Sequence, residues 1–559
     1  MTLDPRRHAL LLVGLWCAAL LAAVVALRPL TPVDETRYAT VAWEMWNSGD
    51  WLQLRLNGEL YGHKPPLLFW LINAGWWVLG VSDWWPRVLT ASFAFGSLAL
   101  TWQLARRLAP TDSEVAPIAV FVTGSGLYWA FFTGALMFDT MLSFFVLLGV
   151  LFIARAATGG RWVNWLGAGA ALGLGILTKG PVALLHLLPL ALLAPWWTAP
   201  VRRAGGGPRS WGRWYGGVGA AVLLGAAIAL AWAVPTALAG GAGFGREIFW
   251  SQSVDRMATT THHLQPVWFY LATLPLLLFP WLFVPSVWKG FAGLARAPAA
   301  LLTRFALAWG VPVLLAFSAF KGKQAQYLLP ATASFALLVG AALAARDRSG
   351  TPPPAADRLV VAGVLFLLAV AIVVLMGQPR LANLIQPGER PAIVMTIVAI
   401  GLVVLLLALL RARSHVASTA MIGTASVLVL LAAYAGLGRA LFDSYDVRPV
   451  AAHLSRAQAA GRPIAHFSKY HGQFQFVGRL RQPLRTLMSR EETLAWAEAN
   501  PDGAVIVYSY RPLSHRSAQP EFRQGFKGRE VYVWRAADLA GVSDGWYTGK
   551  PADLGADDG

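Results

Sequence analysis

Long apolar segments, separated by short polar stretches, recur along most of this 559-residue chain. Many of them reach or approach the ~18 residues that suggest a membrane-spanning helix. Hydrophobic residues make up 56% of the chain and charged residues only 13%, whereas a soluble domain carries about 25% charged residues. The pattern excludes an ordinary soluble protein and predicts an all-α, polytopic membrane protein.

The basic residues between the apolar segments indicate the topology, because cytoplasmic loops carry an excess of Lys and Arg. Pairs such as Arg6-Arg7, Arg106-Arg107 and Arg202-Arg203 fit about thirteen spans, with the N-terminus inside and the C-terminus outside. The first run is apolar for about 20 residues, too long for a signal-peptide core, so it is predicted to remain as a helix. The predicted spans are 8–27, 88–105, 115–133, 140–154, 162–177, 181–197, 215–236, 267–288, 305–319, 325–345, 359–376, 391–410 and 416–437.

The first outer loop, 28–87, is too apolar for a free linker. An N-cap at Asp34 and a stop at Gly49 bound an amphipathic helix, which we predict to lie on the membrane as a lid. Residues 65–81 are apolar and rich in Trp, and counting them as a span would invert every later loop. We therefore predict that this segment lies flat at the outer interface. The apolar face of the lid helix comprises Tyr38, Ala42, Met45 and Trp46.

The composition changes at residue 438. Short β-branched and aromatic runs, at 504–508 and 530–534, alternate with a helix that Ser489 is predicted to cap. We predict a membrane domain at 1–437, with outer loops at 28–87 and 237–266. A small outer α/β domain follows at 438–559, and its acidic tail is expected to be disordered.

The basic inner loops explain much of the net charge of +18. No basic stripe with interleaved aromatic residues and no nucleic-acid motif is present, so nucleic acid is not an expected partner. The lone Cys17 lies inside the first apolar run, which excludes an intramolecular disulfide and a Cys-rich metal site.

Three acidic residues fall at predicted outer ends of the hydrophobic segments. Asp34 and Glu35 follow the first span, and Asp139 stands among apolar residues at the edge of the fourth. A carboxylate at the bilayer surface can orient or deprotonate an acceptor hydroxyl or hold a cation. Asp34 and Glu35 could equally be a helix cap and a first-turn acid, so both interpretations stay open.

Cations also gather at this predicted face. Fixed positive charges at headgroup depth suit a phosphate leaving group, although snorkelling lysines and interface anchors give the same pattern. His63 and the adjacent pair His262-His263 could bind a divalent metal ion, with zinc, magnesium and manganese all left open. The cations are Lys64, Lys179, Arg256, Lys321 and Lys323.

These residues lie in motifs that resemble glycosyltransferase family 83, which includes the bacterial aminoarabinose transferases of lipid A. The resemblance covers roughly residues 1–330 and keeps the family's motif order. One position departs, because His63 stands where those transferases commonly have Glu before Lys-Pro. The motifs are Asp34-Glu35-Thr36-Arg37-Tyr38-Ala39, Tyr61-Gly62-His63-Lys64-Pro65-Pro66-Leu67, Asp139, Leu177-Thr178-Lys179-Gly180-Pro181-Val182 and Lys321-Gly322-Lys323 with Tyr327-Leu328-Leu329-Pro330.

The resemblance implies a GT-C fold with outer juxtamembrane helices and an outer C-terminal domain. It also implies an undecaprenyl-phosphate-linked sugar donor and an acceptor such as lipid A or another glycolipid. Asp34 and Asp139 match the family's acidic residues, and Lys64 and Arg256 are phosphate contacts by the same matching. We include Arg37, Tyr61 and Tyr327 from these motifs as further candidate donor contacts.

The expected function is therefore an inverting glycosyltransferase of the bacterial inner membrane, with its active site on the periplasmic face and membrane lipids around it. A lipid flippase or transporter is the alternative from another class. Such proteins place ionisable residues near the bilayer midplane, whereas the span centres here are essentially free of charge. An envelope polysaccharide ligase or polymerase of the same fold is the alternative among enzymes.

Overall fold

The structure is a computed structural model, and it describes residues 4–208, 210–248, 264–296, 300–378, 390–515 and 517–543. The chain divides into two compact units. We call the first the helical unit; it comprises Met1–Leu27, Arg87–Leu238 and Gly245–Leu437. We call the second the mixed unit; it comprises Arg28–Pro86, Ala239–Phe244 and Gly438–Gly559.

The described part of the chain contains nine helices that are long and apolar enough to cross a membrane. They confirm the prediction of a multi-pass membrane protein. The nine are Ala9–Leu27, Trp85–Leu108, Phe138–Gly159, Trp211–Gly241, Leu301–Ala319, Ala325–Arg348, Ala355–Met376, Arg390–Leu409 and His415–Ala435.

Shorter helices account for the rest of the helical unit. Three of the predicted spans coincide with broken or short helices, at 115–133, 162–177 and 181–197. The shorter helices are Val115–Ser125, Leu127–Phe132, Val163–Lys179, Val182–Leu192, Ala194–Trp197, Ala199–Arg203, Phe269–Leu277 and Pro285–Arg296, with a 3-10 turn at Trp281–Phe283.

The predicted continuous span 267–288 is wrong. Its first helix ends at Leu277, and a second helix begins at Pro285 and runs to Arg296. Pro280 and Pro285 lack the backbone N–H that an unbroken helix needs. The segment 267–288 is predominantly apolar, so hydropathy alone predicted one continuous span.

The helices Phe138–Gly159 and Val163–Lys179 form an antiparallel hairpin. The second helix presents Gly169 and Gly173 to the helix Trp211–Arg246. A Cβ at Gly169 would lie 2.8 Å from the carbonyl oxygen of Ala221, so the approach requires glycine. This packing fixes the helix whose last residue is Lys179.

The C-terminal part of the mixed unit is a five-stranded mixed sheet, which confirms the predicted small α/β domain. The strand order is β4-β3-β5-β7-β6, with β3, β4 and β5 parallel and the β5–β7 and β7–β6 pairs antiparallel. Its core buries Val450, Leu454, Ile506 and Val531. The strands are β3 (Ile464–Phe467), β4 (Arg485–Leu487), β5 (Ala504–Ser509), β6 (Phe522–Phe526) and β7 (Arg529–Arg535); β1 (Arg55–Leu56) and β2 (Glu59–Leu60) form a separate hairpin.

Helices and short turns connect these strands. The predicted cap at Ser489 is confirmed, since its side chain accepts a hydrogen bond from the Glu492 backbone N–H at 3.1 Å. The elements are the helices Leu437–Phe442, Arg448–Ala459, Gln475–Gly478 and Arg490–Ala499 and the 3-10 turns Asp443–Tyr445 and Ala536–Gly541.

Two further helices of the mixed unit come from the first outer loop. Helix Asp34–Ser48 packs on the C-terminal sheet domain: Thr40 Oγ1 donates to the Gly472 carbonyl at 2.6 Å, and Trp43 Nε1 donates to the Leu480 carbonyl at 2.8 Å. Helix Leu67–Leu79 has 13 residues and is about 20 Å long, too short to cross the hydrocarbon core. By packing, the segment 28–86 therefore groups with the sheet domain rather than with its neighbours in the chain.

Candidate active site

Asp34 begins the helix Asp34–Ser48 with a partly exposed carboxylate. Its Oδ1 accepts hydrogen bonds from Arg37 Nη2 at 2.6 Å and from the Tyr38 hydroxyl at 3.0 Å. The predicted N-cap role of Asp34 is wrong: Val33 precedes the helix, and the carboxylate bonds to side chains one turn along. One third of the Asp34 side chain, 33%, remains exposed, so an incoming group can reach it.

Glu35 differs from its neighbour because both of its carboxylate oxygens are engaged in the interior. Oε1 accepts from Arg28 Nη2 at 2.6 Å, and Oε2 accepts from the backbone N–H and hydroxyl of Thr31 at 2.9 and 2.8 Å. Only 3% of the Glu35 side chain is exposed. The geometry favours Glu35 as the group that fixes the start of the helix, and it leaves Asp34 as the accessible acid.

The charge state of Asp34 depends on opposing effects. Burial alone would raise the pKa of Asp34, but the positive charges of Arg37 and Lys64 and the hydrogen bond from Tyr38 outweigh it and lower the pKa below its ordinary value. Asp34 is therefore ionised at neutral pH. Burial raises the pKa of Tyr38 well above its ordinary value, so that phenol stays a hydrogen-bond donor.

A β-hairpin presents the Tyr61–Lys64 segment. Strands β1 and β2 are joined by Asn57 and Gly58, both with positive φ, as a tight Asn-Gly hairpin turn requires. The Glu44 carboxylate on the helix Asp34–Ser48 accepts from the backbone N–H groups of Asn57 at 2.6 Å and Gly58 at 2.9 Å. The hairpin is thereby fixed to the helix that carries Asp34.

The candidate residues at the end of this hairpin are mostly buried. Tyr61 and Lys64 are 4% and 8% exposed, whereas His63 is exposed, with its ring 5.3 Å from the Tyr61 ring. Lys64 acts electrostatically on Asp34, as described above. The mixed unit therefore brings together five of the predicted site residues on two adjoining elements: Asp34, Glu35, Arg37, Tyr61 and Lys64.

The helical unit contains a second charged cluster. Lys179 Nζ donates to Asp139 Oδ1 at 2.6 Å, and the Asp139 side chain is only 2% exposed. Asp139 lies in the first turn of its helix and Lys179 at the last residue of the next, where each helix dipole favours that sign of charge. Gly180 ends the second helix with φ +80°, a conformation that suits glycine.

Further candidates of the helical unit lie between residues 321 and 327. The Lys179 ammonium lies 4.8 Å from the centre of the Tyr327 ring, in cation–π contact. Lys323 is buried and donates to the Gln265 carbonyl at 2.8 Å, so its charge is used in holding a turn. Lys321 is exposed, which leaves it the more accessible of the two predicted cations in this turn.

Three predicted site residues, Arg256, His262 and His263, lie outside the described residues. Among the described ones, no group of three His, Cys, Asp or Glu side chains could hold a metal ion. The divalent metal ion therefore stays a prediction.

Several residues of these clusters escaped prediction. Arg28 and Thr31 hold Glu35, Tyr38 bonds Asp34, and Glu44 anchors the hairpin. A signal did exist for the hairpin, since Asn57-Gly58 between short apolar-polar runs is a typical turn sequence. For Arg28, its position directly after the first apolar run was the available cue.

The arrangement can bind an anion and handle a proton. Asp34 is an ionised, reachable carboxylate next to two cations, a setting suited to orienting a nucleophilic hydroxyl or accepting its proton. Lys64, and separately Lys179 and Lys321, offer positive charge to an anionic group.

Comparison with known proteins agrees with this chemistry. The family model of the dolichyl-phosphate-mannose-protein mannosyltransferases matches residues 63–205. The undecaprenyl phosphate-alpha-4-amino-4-deoxy-L-arabinose arabinosyl transferase of Pectobacterium carotovorum is 32% identical over 388 residues, which are 65% of this chain and 64% of that relative. The Pseudomonas aeruginosa protein of the same name is 31% identical over 326 residues, 57% of this chain and 56% of its own. The predicted resemblance to the aminoarabinose transferases is confirmed, although the matches span less than two thirds of these relatives.

A solved structure of another protein has the same fold as this chain. The crystal structure of ArnT from Cupriavidus metallidurans bound to undecaprenyl phosphate superimposes with a TM-score of 0.70 at 20% identity, over 95% of this chain and 98% of that one. At this identity the likeness establishes the fold, and it confirms the predicted GT-C class.

Proposed function

We propose that this chain is an integral membrane glycosyltransferase that moves a sugar from an undecaprenyl-phosphate-linked donor to lipid A or another envelope glycolipid. The observation that carries the proposal is Asp34, an ionised and one-third exposed carboxylate beside Arg37 and Lys64. The similarity of sequence and fold to aminoarabinose transferases supports it.

The location of the reaction forms part of the proposal. The excess of Lys and Arg in the predicted inner loops supports a cytoplasmic N-terminus, a periplasmic C-terminal domain and a site on the periplasmic face of the inner membrane. A lipid-linked donor and a glycolipid acceptor both present their headgroups at that face.

The proposed reaction is an inverting substitution. An acceptor oxygen attacks the anomeric carbon, the bond from that carbon to the donor phosphate breaks, and undecaprenyl phosphate leaves with the bonding electron pair. When the acceptor is a hydroxyl, Asp34 accepts its proton. When the acceptor is a phosphate oxygen it is already anionic, and Asp34 then positions it.

The cations would bind the anionic groups of the substrates. In the mixed unit we assign Lys64 to the donor phosphate, with Arg37 and Tyr61 beside it; preorganised positive charge stabilises the departing phosphate. In the helical unit we assign Lys179 and Lys321 to anionic substrate groups, with Asp139 and Tyr327 orienting Lys179. Arg256 is assigned to the donor phosphate on the motif resemblance.

A divalent metal ion is a further proposal. The candidate ligands, named from the sequence, are His63, His262 and His263. A bound cation would add positive charge near the phosphate. No step of the reaction above depends on it.

The proposal is tested by expressing the chain in a bacterium that lacks such a gene and analysing lipid A and total envelope glycans by mass spectrometry. We expect a lipid species heavier by one sugar residue in cells with wild-type protein and none with Asp34→Asn at equal membrane levels. Longer polymer products would favour a ligase or polymerase. Lipid movement without any new glycan bond would favour a flippase, and either result would overturn the proposal.

A further inference from the structure

A buried histidine lies close to the Asp139–Lys179 ion pair and has no role in the reaction above. His186 stands on the helix Val182–Leu192 and is 0% exposed. Among the described residues, neither of its ring nitrogens has a hydrogen-bond partner. Since an imidazole always carries at least one donor and, when neutral, one acceptor, leaving both unmet in the interior is costly.

The packing of its helix directs His186 toward the ion pair. Ala183, His186 and Leu187 share the buried face. Ala183 packs against Gly175, one turn before Lys179, and Leu187 packs against Gly149 on the helix that carries Asp139. His186 therefore faces the hairpin whose ends hold the two charges.

Aromatic rings also pack around His186. The His186 ring lies 5.5 Å from the Phe317 ring, and Phe317 lies 5.8 Å from the Tyr327 ring, over which Lys179 is held. Lys179 is the charged group that acts electrostatically on His186 in this environment. A polar group in this apolar enclosure thus has the Lys179 ammonium as its charged neighbour.

Exposure separates the two side chains by role. The Lys179 side chain is 14% exposed and can meet a substrate group, whereas His186 is fully buried. An ammonium has three N–H donors; one goes to Asp139 Oδ1 and the cation faces the Tyr327 ring. A donor remains that can point inward.

We propose that His186 is a positioning residue: a bound water molecule accepts a hydrogen bond from the Lys179 ammonium and donates one to the unprotonated ring nitrogen of His186, which fixes the orientation of that ammonium beside Asp139. Such a water gives the accepting ring nitrogen a donor and the Lys179 ammonium a further acceptor. The catalytic consequence rests on the proposed function, while the coupling between the two side chains does not.

The coupling is tested by ¹⁵N NMR of the full-length protein in nanodiscs, labelled at its ten histidines. The His186 signals are identified by their loss in His186→Gln. We expect Lys179→Met to shift the signal of the accepting nitrogen and Lys321→Met, the control for loss of a nearby lysine charge, to leave it in place. An unchanged His186 signal in Lys179→Met would overturn the proposal.

Activity provides the second measurement. With a lipid-linked sugar donor, we expect His186→Leu to lower kcat about tenfold, the effect of one hydrogen bond of ordinary strength, at unchanged KM for the donor. His186→Gln, which keeps an acceptor, should retain most of the rate. In Lys179→Met the His186→Leu change should have little further effect, because the two act through one ammonium. Additive losses would mean a packing role.

The two measurements separate the two proposals. A Lys179-dependent histidine signal in a protein that transfers no sugar would contradict the proposed function and leave the role of His186 intact. Sugar transfer without a Lys179-dependent histidine signal would contradict the role of His186 and leave the proposed function intact.

Discussion

Asp34 and Glu35 are adjacent in the chain, yet only Asp34 keeps a carboxylate that a substrate can reach. Both carboxylate oxygens of Glu35 accept hydrogen bonds from Arg28 and Thr31, whereas one third of the Asp34 side chain is exposed. The difference follows from one helical step of about 100°, which turns neighbouring side chains to different faces. Catalysis is therefore expected to depend on Asp34, and the local structure on Glu35.

Replacing Asp34 by Asn removes the negative charge at nearly constant size. We expect the transfer rate to fall by about 100-fold or more, the usual contribution of a general base. The measurement is the initial rate of sugar transfer by purified protein, with thermal unfolding as a check on the fold. Asp502→Asn is the matched control, because that side chain is 77% exposed in an ion pair with Arg535 and surface pairs contribute little.

The pH dependence of the reaction is expected to report the cations around Asp34. The lowered pKa of Asp34 means that its ionised form, and hence activity, persists above that pKa and is lost as pH falls through it. Lys64→Met removes one of the charges that lower the pKa, so the acidic limb of kcat should move to higher pH. The test is a pH–rate profile at saturating donor. An acidic limb that stays in place would mean that another group controls it.

At the scale of elements, the helix Asp34–Ser48 owes its position to contacts that are distant in sequence. Thr40 is fully buried; its hydroxyl donates to the Gly472 carbonyl and accepts from the Phe476 N–H. These partners lie more than 430 residues away. The helix that carries Asp34 and the sheet domain are thus expected to unfold together.

Thr40→Val keeps the shape of the side chain and removes both hydrogen bonds. We expect a loss of about 2 kcal/mol in the free energy of unfolding, because two buried groups lose their partner. Hydrogen exchange should accelerate at Phe476 and along the helix. Ser48→Ala, on the same helix but bonded only locally, is the control and should leave exchange at Phe476 unchanged.

The sequence predicted the helices and strands better than it predicted which distant residues they contact. Apolar periodicity and the stop at Gly49 predicted the helix Asp34–Ser48, and local patterns also predicted the cap at Ser489 and the sheet domain, since these depend on neighbours along the chain. Thr40 and Gly472 lie far apart in the chain, so no local sequence pattern indicates their contact. The predicted span 267–288 failed for a related reason, because hydropathy does not register the prolines that break it.

Some residues of the candidate site could be predicted from the sequence and others could not, because only some of them stand out in their local sequence. Charged residues in apolar surroundings are conspicuous, so Asp139 and Lys179 were singled out, and their 2.6 Å pairing accounts for both. His186 lies in an equally apolar run, but a lone histidine in a helix carries no such signal until its surroundings are known. Lys323, predicted as a substrate cation, donates a hydrogen bond to the Gln265 carbonyl, a partner that the sequence does not indicate.

The proposed site of reaction requires one orientation of the whole chain in the membrane. Reporters fused after Arg107, Arg213 and Arg348 should read cytoplasmic, and those after Gly240 and Ala451 should read periplasmic, because the basic loops stay inside. The measurement is paired alkaline phosphatase and fluorescent-protein fusions. A periplasmic signal after Arg107 would make 65–81 a true span and invert every later loop.

The central claim is that the protein transfers a sugar from a polyprenyl phosphate with Asp34 as the acidic group of the reaction. Its most direct test is reconstitution of the purified chain in nanodiscs with a synthetic undecaprenyl-phosphate-linked sugar and lipid A, followed by mass spectrometry of both lipids. The account predicts one undecaprenyl phosphate released for each sugar gained by the acceptor, an inverted anomeric centre by NMR, and neither product with Asp34→Asn. Release of the sugar to water alone, or equal product from wild type and Asp34→Asn, would contradict it.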